Sequence, residues 1–93
     1  MPPKSLGWTV EISDVALKAI GKLDRAVQLR IFDFLEGKLL GSDDARKLGH
    51  ALRGDQRGLW RYRVGDYRLI CSLEDARLVV LVLQVGHRRE VYR

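Results

Sequence analysis

Residues 59–69, LWRYRVGDYRL, constrain the fold more than any other stretch of the chain. The alternation on either side of Gly65-Asp66 reads as two strands joined by a two-residue loop with glycine in its first position. Such a loop sets the register. Val64 stands opposite Tyr67, Arg63 opposite Arg68, Tyr62 opposite Leu69 and Arg61 opposite Ile70. Opposed residues share a face, because side chains alternate along each strand. Trp60, Tyr62, Val64, Tyr67 and Leu69 therefore form a mostly apolar face, while Arg61, Arg63 and Arg68 collect on the other. Like charges directly opposed across a sheet destabilise it. Either the cluster is a solvated basic surface, or it grips something anionic.

The rest of the chain supplies the elements around this hairpin. WTVEI, at 8–12, reads as a short strand. Ser13 or Asp14 then caps a helix that carries Val15, Ala16, Ala19, Ile20 and Leu23 at helical spacing, with Gly21 weakening but not ending it. Asp24 caps a second helix with Val27, Ile31, Phe34, Leu35 and Leu39 on one stripe, closed by Gly41 and the SDD that follows. ARKLGHALRGDQRG is interrupted by glycines, with room for a helical turn at ARKL. Three strands follow as a meander, at 59–64, 67–74 and 77–85, the last two joined by the turn EDAR. Pairing Leu73 with Leu78 puts Val80 and Val82 on the face of Leu69 and Cys71. Val79, Leu81 and Leu83 fill the other face, and a strand apolar on both faces is central. Its free edge is where the N-terminal strand pairs. The expected fold is a single α+β domain over 1–93, ordered β-α-α-β-β-β, with a mainly antiparallel sheet and two helices packed on the face of Trp60 and Tyr62.

Composition narrows the function. The net charge of +5 is uneven: residues 53–93 hold nine basic side chains, all arginine, against five acidic ones. Arginine presents a planar fork of donors that matches phosphate and carboxylate, where lysine is a point charge. A single cysteine rules out a disulfide within the chain, and Cys71 sits in an apolar strand pattern as a buried thiol. Two histidines 37 positions apart and one cysteine make no zinc set, and neither VGDY nor RGDQRG has the phosphate-loop pattern. The longest apolar run, LVVLVL, is far short of a membrane span, and MPPKSLGWTV has no apolar signal region, so a cytoplasmic protein is expected.

RVGDYRLI and VGHRREVY, preceded by LRG and GLW, resemble the RelE toxins of the RelE/ParE toxin-antitoxin superfamily, over nearly the whole chain. The resemblance implies a fold like that of the small microbial ribonucleases and a toxin that cleaves messenger RNA on the ribosome without a metal or other cofactor. It also implies silencing by a cognate antitoxin, contact with operator DNA only through that antitoxin, and no membrane partner. Arg61 and Arg63 stand where RelE has two lysines. Arg68 matches its arginine in the YRL element, Arg88 a further arginine after VG, and Tyr92 its tyrosine near the end; His87 occupies a position that is basic in RelE and histidine in many relatives. The chain ends at Arg93, where RelE carries a further helix. Two other classes stay open: a ParE-like inhibitor of DNA gyrase that acts by binding alone, and an inactive module that keeps only antitoxin binding and co-repression.

Cleavage of this kind needs the ribose 2′-hydroxyl to lose a proton and attack the adjacent phosphate. The phosphorane charge must be stabilised and the leaving 5′-oxygen must gain a proton. Arg61, Arg63 and Arg68 suit the charge, yet arginine stays protonated and is a poor base. Strand parity continued from Leu83 and Val85 puts His87 on the arginine face as the titrating group, a strand-end surface histidine being the alternative. Arg88 and Tyr92 are read as phosphate or base contacts. His50, in the glycine-rich stretch, is read as structural or solvated.

Overall fold

The structure, a computed structural model, describes residues 7–88. Strand β1 (Thr9–Ile12) leads into helix α1 (Asp14–Gly21) and helix α2 (Arg25–Phe34). α2 ends in a π turn over Leu35–Leu39, where the Leu40 N–H donates to the Leu35 carbonyl at 2.8 Å. A 3-10 turn at Ala45–Leu48, as ARKL suggested, precedes a two-residue strand β2 (His50–Ala51). After it come β3 (Leu59–Val64), β4 (Tyr67–Glu74) and β5 (Val79–His87). The five strands form one sheet in the order β1-β5-β4-β3-β2, with β1 parallel to β5 and the other pairs antiparallel. No helix among the described residues is long and apolar enough to cross a membrane.

The hairpin has the expected register at every position from Arg61–Ile70 to Val64–Tyr67. Gly65 has φ +60° and Asp66 does not share that sign, the geometry of a two-residue turn whose glycine comes first. On the apolar face the two helices close over the sheet. Ala16 and Ile20 from α1, and Ile31, Leu35 and Leu39 from α2 and its π turn, pack with Tyr62, Leu69, Cys71, Val80 and Val82 in one buried cluster. Ser13 caps α1, its Oγ accepting from the Ala16 N–H at 3.1 Å. Asp24 occupies the cap position of α2 but its side chain makes no capping bond. α1 stops at Gly21, and Val15, expected on the buried stripe, is 68% exposed, because Ala16 and Ile20 are the positions of this short helix that face the sheet.

Three departures bear on function. β2 adds a fifth strand at the sheet edge, pairing His50 with Arg61 and Ala51 with Trp60. The β4–β5 connection lies one residue later than EDAR: Glu74 pairs with Val79 and Leu73 with Val80, and Leu78 takes a left-handed φ of +54° to close the turn. Thr9 N–H donates to the Leu78 carbonyl at 2.7 Å, so that turn also anchors β1. The third departure is a bulge. Cys71 pairs with Val82 but Ile70 pairs with Gln84, which leaves Leu83 as an extra residue in β5. Ser13 fastens it, its N–H donating to the Val82 carbonyl at 2.9 Å and its hydroxyl to the Leu83 carbonyl at 3.3 Å.

Candidate active site

The hairpin register sets Arg63 and Arg68 side by side, and Arg61 follows one alternation along β3 on the same face. Arg68 is the centre of the group. It faces Arg63 across β3 and Gly86 across β5, so β5 brings no side chain to the arginine face at that point. Only 9% of Arg68 is exposed, the one charged side chain in the chain's described residues that is buried. Burial, then the neighbouring charges of Arg63, Arg61 and Arg88, hold its guanidinium below the ordinary arginine value, with Asp66 acting in the opposite sense. The four guanidinium groups together make this part of the surface strongly cationic.

Arg88 joins this group through the turn after β5. Its N–H donates to the Asp66 carbonyl at 2.9 Å, which ties the end of β5 to the hairpin tip. Tyr92 lies outside the described residues.

His87 is placed differently from the parity argument. The extra residue at Leu83 inverts the alternation along the rest of β5, so Val85 pairs with Leu69 and His87 with Tyr67, on the helix side of the sheet. There the imidazole meets the Tyr67 ring edge-on, with centroids 5.6 Å apart, next to Lys18 and Lys22 of α1 across a shallow cleft. The histidine that the pairing does put on the arginine face is His50. It is exposed and opposite Arg61, in a row that continues to Ile70 and Gln84. No periodic signal marks a two-residue strand, so only the pairing itself reveals this neighbour.

The aromatic residues of the hairpin belong to the core side. Tyr62 is fully buried, donates from its hydroxyl to the Ala45 carbonyl at 2.8 Å, and has its pKa pushed up by burial. Trp60 and Trp8 flank the Arg46 guanidinium at 5.5 and 5.9 Å, and Arg46 binds Asp75 through two bonds of 2.8 Å. Arg46 is thus a clamp between the N-terminal segment, β3 and the β4–β5 turn, unlike the arginines of the other face. Among the described residues no three His, Cys, Asp or Glu side chains gather as a ligand set for a metal.

The family model for the ParE toxin of type II toxin-antitoxin systems matches residues 10–92. The chain belongs to the RelE/ParE superfamily of toxins. Toxin RelG of Mycobacterium tuberculosis (strain ATCC 25618 / H37Rv) is 30% identical over 86 residues, covering 92% of this chain and 97% of that protein. Among solved structures, the toxin-antitoxin complex RelBE2 of Mycobacterium tuberculosis contains a chain that superposes with a TM-score of 0.81 at 28% identity, over 88% of this toxin and 99% of that chain. The intact Escherichia coli RelBE complex gives 0.68 at 25% identity, over 87% and 96%. The resemblance seen in RVGDYRLI and VGHRREVY therefore extends to the whole architecture, two helices on one face of a mostly antiparallel sheet.

Proposed function

We propose that this toxin is an endoribonuclease that cleaves messenger RNA on the ribosome and is silenced in the cytoplasm by a cognate antitoxin. The observation that carries the reading is the arginine face, where Arg61, Arg63 and the buried Arg68 are held together against their mutual repulsion. Their forked donors match the non-bridging oxygens of a phosphate, and the extra negative charge of a phosphorane is what such a group is best suited to offset. Deprotonation of a ribose 2′-hydroxyl, attack on the adjacent phosphorus and departure of a protonated 5′-oxygen would leave a 2′,3′-cyclic phosphate. No step in this scheme calls for a metal.

Proton transfer in this scheme falls to a histidine, since the arginines stay charged. Two are near enough in the fold to be weighed. His50 stands within it, opposite Arg61, and His87 lies at the end of β5 beside Arg88, on the opposite side of the sheet. Tyr92 keeps the role that the resemblance implies, a contact to base or phosphate. The antitoxin reading rests on two solved relatives that are toxin-antitoxin complexes, and on the arginine-rich half of the chain, which suits an acidic segment that folds on binding.

The test is induced expression followed by mapping of transcript ends, with and without the antitoxin encoded beside the toxin. Breaks within codons are expected, and they disappear on antitoxin co-expression. The protein with Arg61, Arg63 and Arg68 all replaced by alanine should leave transcripts intact at equal expression. Undiminished cleavage in that variant would remove the arginine face from the mechanism. Growth arrest with DNA damage and intact transcripts would favour the second reading, toxicity by binding alone, to which the ParE name of the matching family model lends weight.

A further inference from the structure

Among the described residues no strand lies beside the outer edge of β3 beyond Arg61, since β2 pairs only with Trp60 and Arg61. A cleft of about 320 Å³ opens at that edge, lined by Arg30, Asp33, Phe34 and Lys38 of α2 and its π turn and by Arg63, Val64 and Gly65 of the hairpin. Three cations from two separate elements thus converge on one concave site with a single carboxylate among them. Arg30 reaches the hairpin tip, its Nη1 lying 3.4 Å from where a side chain on Gly65 would begin. Phe34 is held at the floor by the buried Tyr62, ring centroids 5.7 Å apart and tilted by 53°. Arg63 belongs to both places: it is exposed, lies on the arginine face, and also forms one wall of the cleft.

We infer that the cleft of Arg30, Lys38, Arg63 and Phe34 binds the backbone of the RNA strand beyond the cleaved phosphate, leading it from the arginine face over the open edge of β3 onto α2. The inference rests on the nuclease reading above. A basic groove with an aromatic ring at its floor is how single strands are held without regard to sequence. A strand crossing at Arg63 would place successive phosphates first against the Arg61–Arg63–Arg68 group and then against Arg30 and Lys38. Asp33 would set a limit on affinity there, by repelling phosphate, without closing the path.

The protein with Arg30→Gln and Lys38→Gln together tests this. Both residues are exposed, and neither belongs to the arginine face. Binding is measured to a 2′-O-methyl RNA oligonucleotide spanning several codons, as a function of salt, beside cleavage kinetics on programmed ribosomes. Each phosphate contact to a single strand contributes about 0.7 to the slope of log affinity against log salt, so the slope should fall by about 1.4. KM should rise with kcat and the position of cleavage unchanged, as expected when uniform binding is lost. Arg30→Lys should restore most of the slope. If the wild type cleaves RNA and the double variant matches it in slope and KM, the path is wrong and the nuclease reading stands. If the variant loses antitoxin affinity while its RNA slope is unchanged, the cleft belongs to the antitoxin. If the wild type cleaves no RNA, the nuclease reading falls and the path falls with it.

Discussion

The two faces of the sheet are built on the same strands under opposite rules. On the helix side Tyr62, Leu69, Cys71, Val80 and Val82 are closed off from water by α1 and α2, and the buried Tyr62 hydroxyl has its acceptor in the Ala45 carbonyl. On the other side the same β3 and β4 present Arg61, Arg63 and Arg68, whose charges work against one another. At Arg61, Arg63 and Arg68 the strands thus gather like charges, even though the buried Ile70 shares their face. Where a structure tolerates local repulsion among positioned charges, the group is poised for a ligand of opposite sign. Stability and activity should therefore separate between Tyr62 and Leu69 on one face and Arg61, Arg63 and Arg68 on the other.

The largest effect is expected from the histidines, and it asks whether the helix side takes any part in the chemistry. His50→Gln should slow single-turnover cleavage by roughly 100- to 10,000-fold, the span of general acid-base catalysis. His87→Gln should leave the rate close to that of the unaltered protein. A reversed result would mean that the end of β5 twists far enough to bring His87 round to the arginines, and that the division into two faces fails there.

Leu69→Ala comes next. Truncating a buried leucine typically costs about 2–5 kcal/mol, read by urea unfolding, and is expected here with cleavage by the folded fraction unchanged. Its β4 neighbour gives the converse. Arg68→Met should cut cleavage by roughly 100- to 1000-fold, as for loss of one charge-stabilising donor. It should also raise the melting temperature at low salt, because the buried charge and its repulsion with Arg61, Arg63 and Arg88 are gone. A lower melting temperature in that variant would show that Arg68 holds the sheet together and is not a cost to it.

The smallest effect concerns an acid-labile clamp at the rim of the helix side. Arg46 holds the Asp75 carboxyl below its ordinary value, chiefly by hydrogen bonding. A depressed carboxyl stabilises the fold above its unfolded pKa and loses that contribution as pH falls through the folded one. Asp75→Asn should therefore lower stability slightly at neutral pH and leave it unaltered in acid, below both values. The pair is well exposed, so solvent screening keeps the difference small.

The hairpin could be read from sequence because Gly65-Asp66 specifies one turn geometry and that turn specifies the register. The helices followed from their apolar spacing, and the place of β1 beside β5 from the double-sided apolar pattern of β5, while its parallel direction comes from the structure. That same pattern hid the bulge. When both faces of a strand are apolar, a one-residue slip carries no cost that the sequence can display, so the position of His87 was open to inversion at Leu83. β2 was hidden for another reason: two residues between Gly49 and Gly54 have no period, and His50 acquires its place only from the strand it pairs with.

Cys71 gives the molecule an internal clock. It is the chain's only thiol, lies at the centre of the helix-covered face with no exposed surface, and burial pushes its pKa up. The thiolate that reacts with an alkylating probe is therefore suppressed twice, by lack of access and by lack of ionisation. Alkylation must wait for β4 to part from the helices. Its rate in excess reagent, followed by mass spectrometry, would report how often the toxin opens, and whether a partner seated on the opposite, arginine face slows that opening.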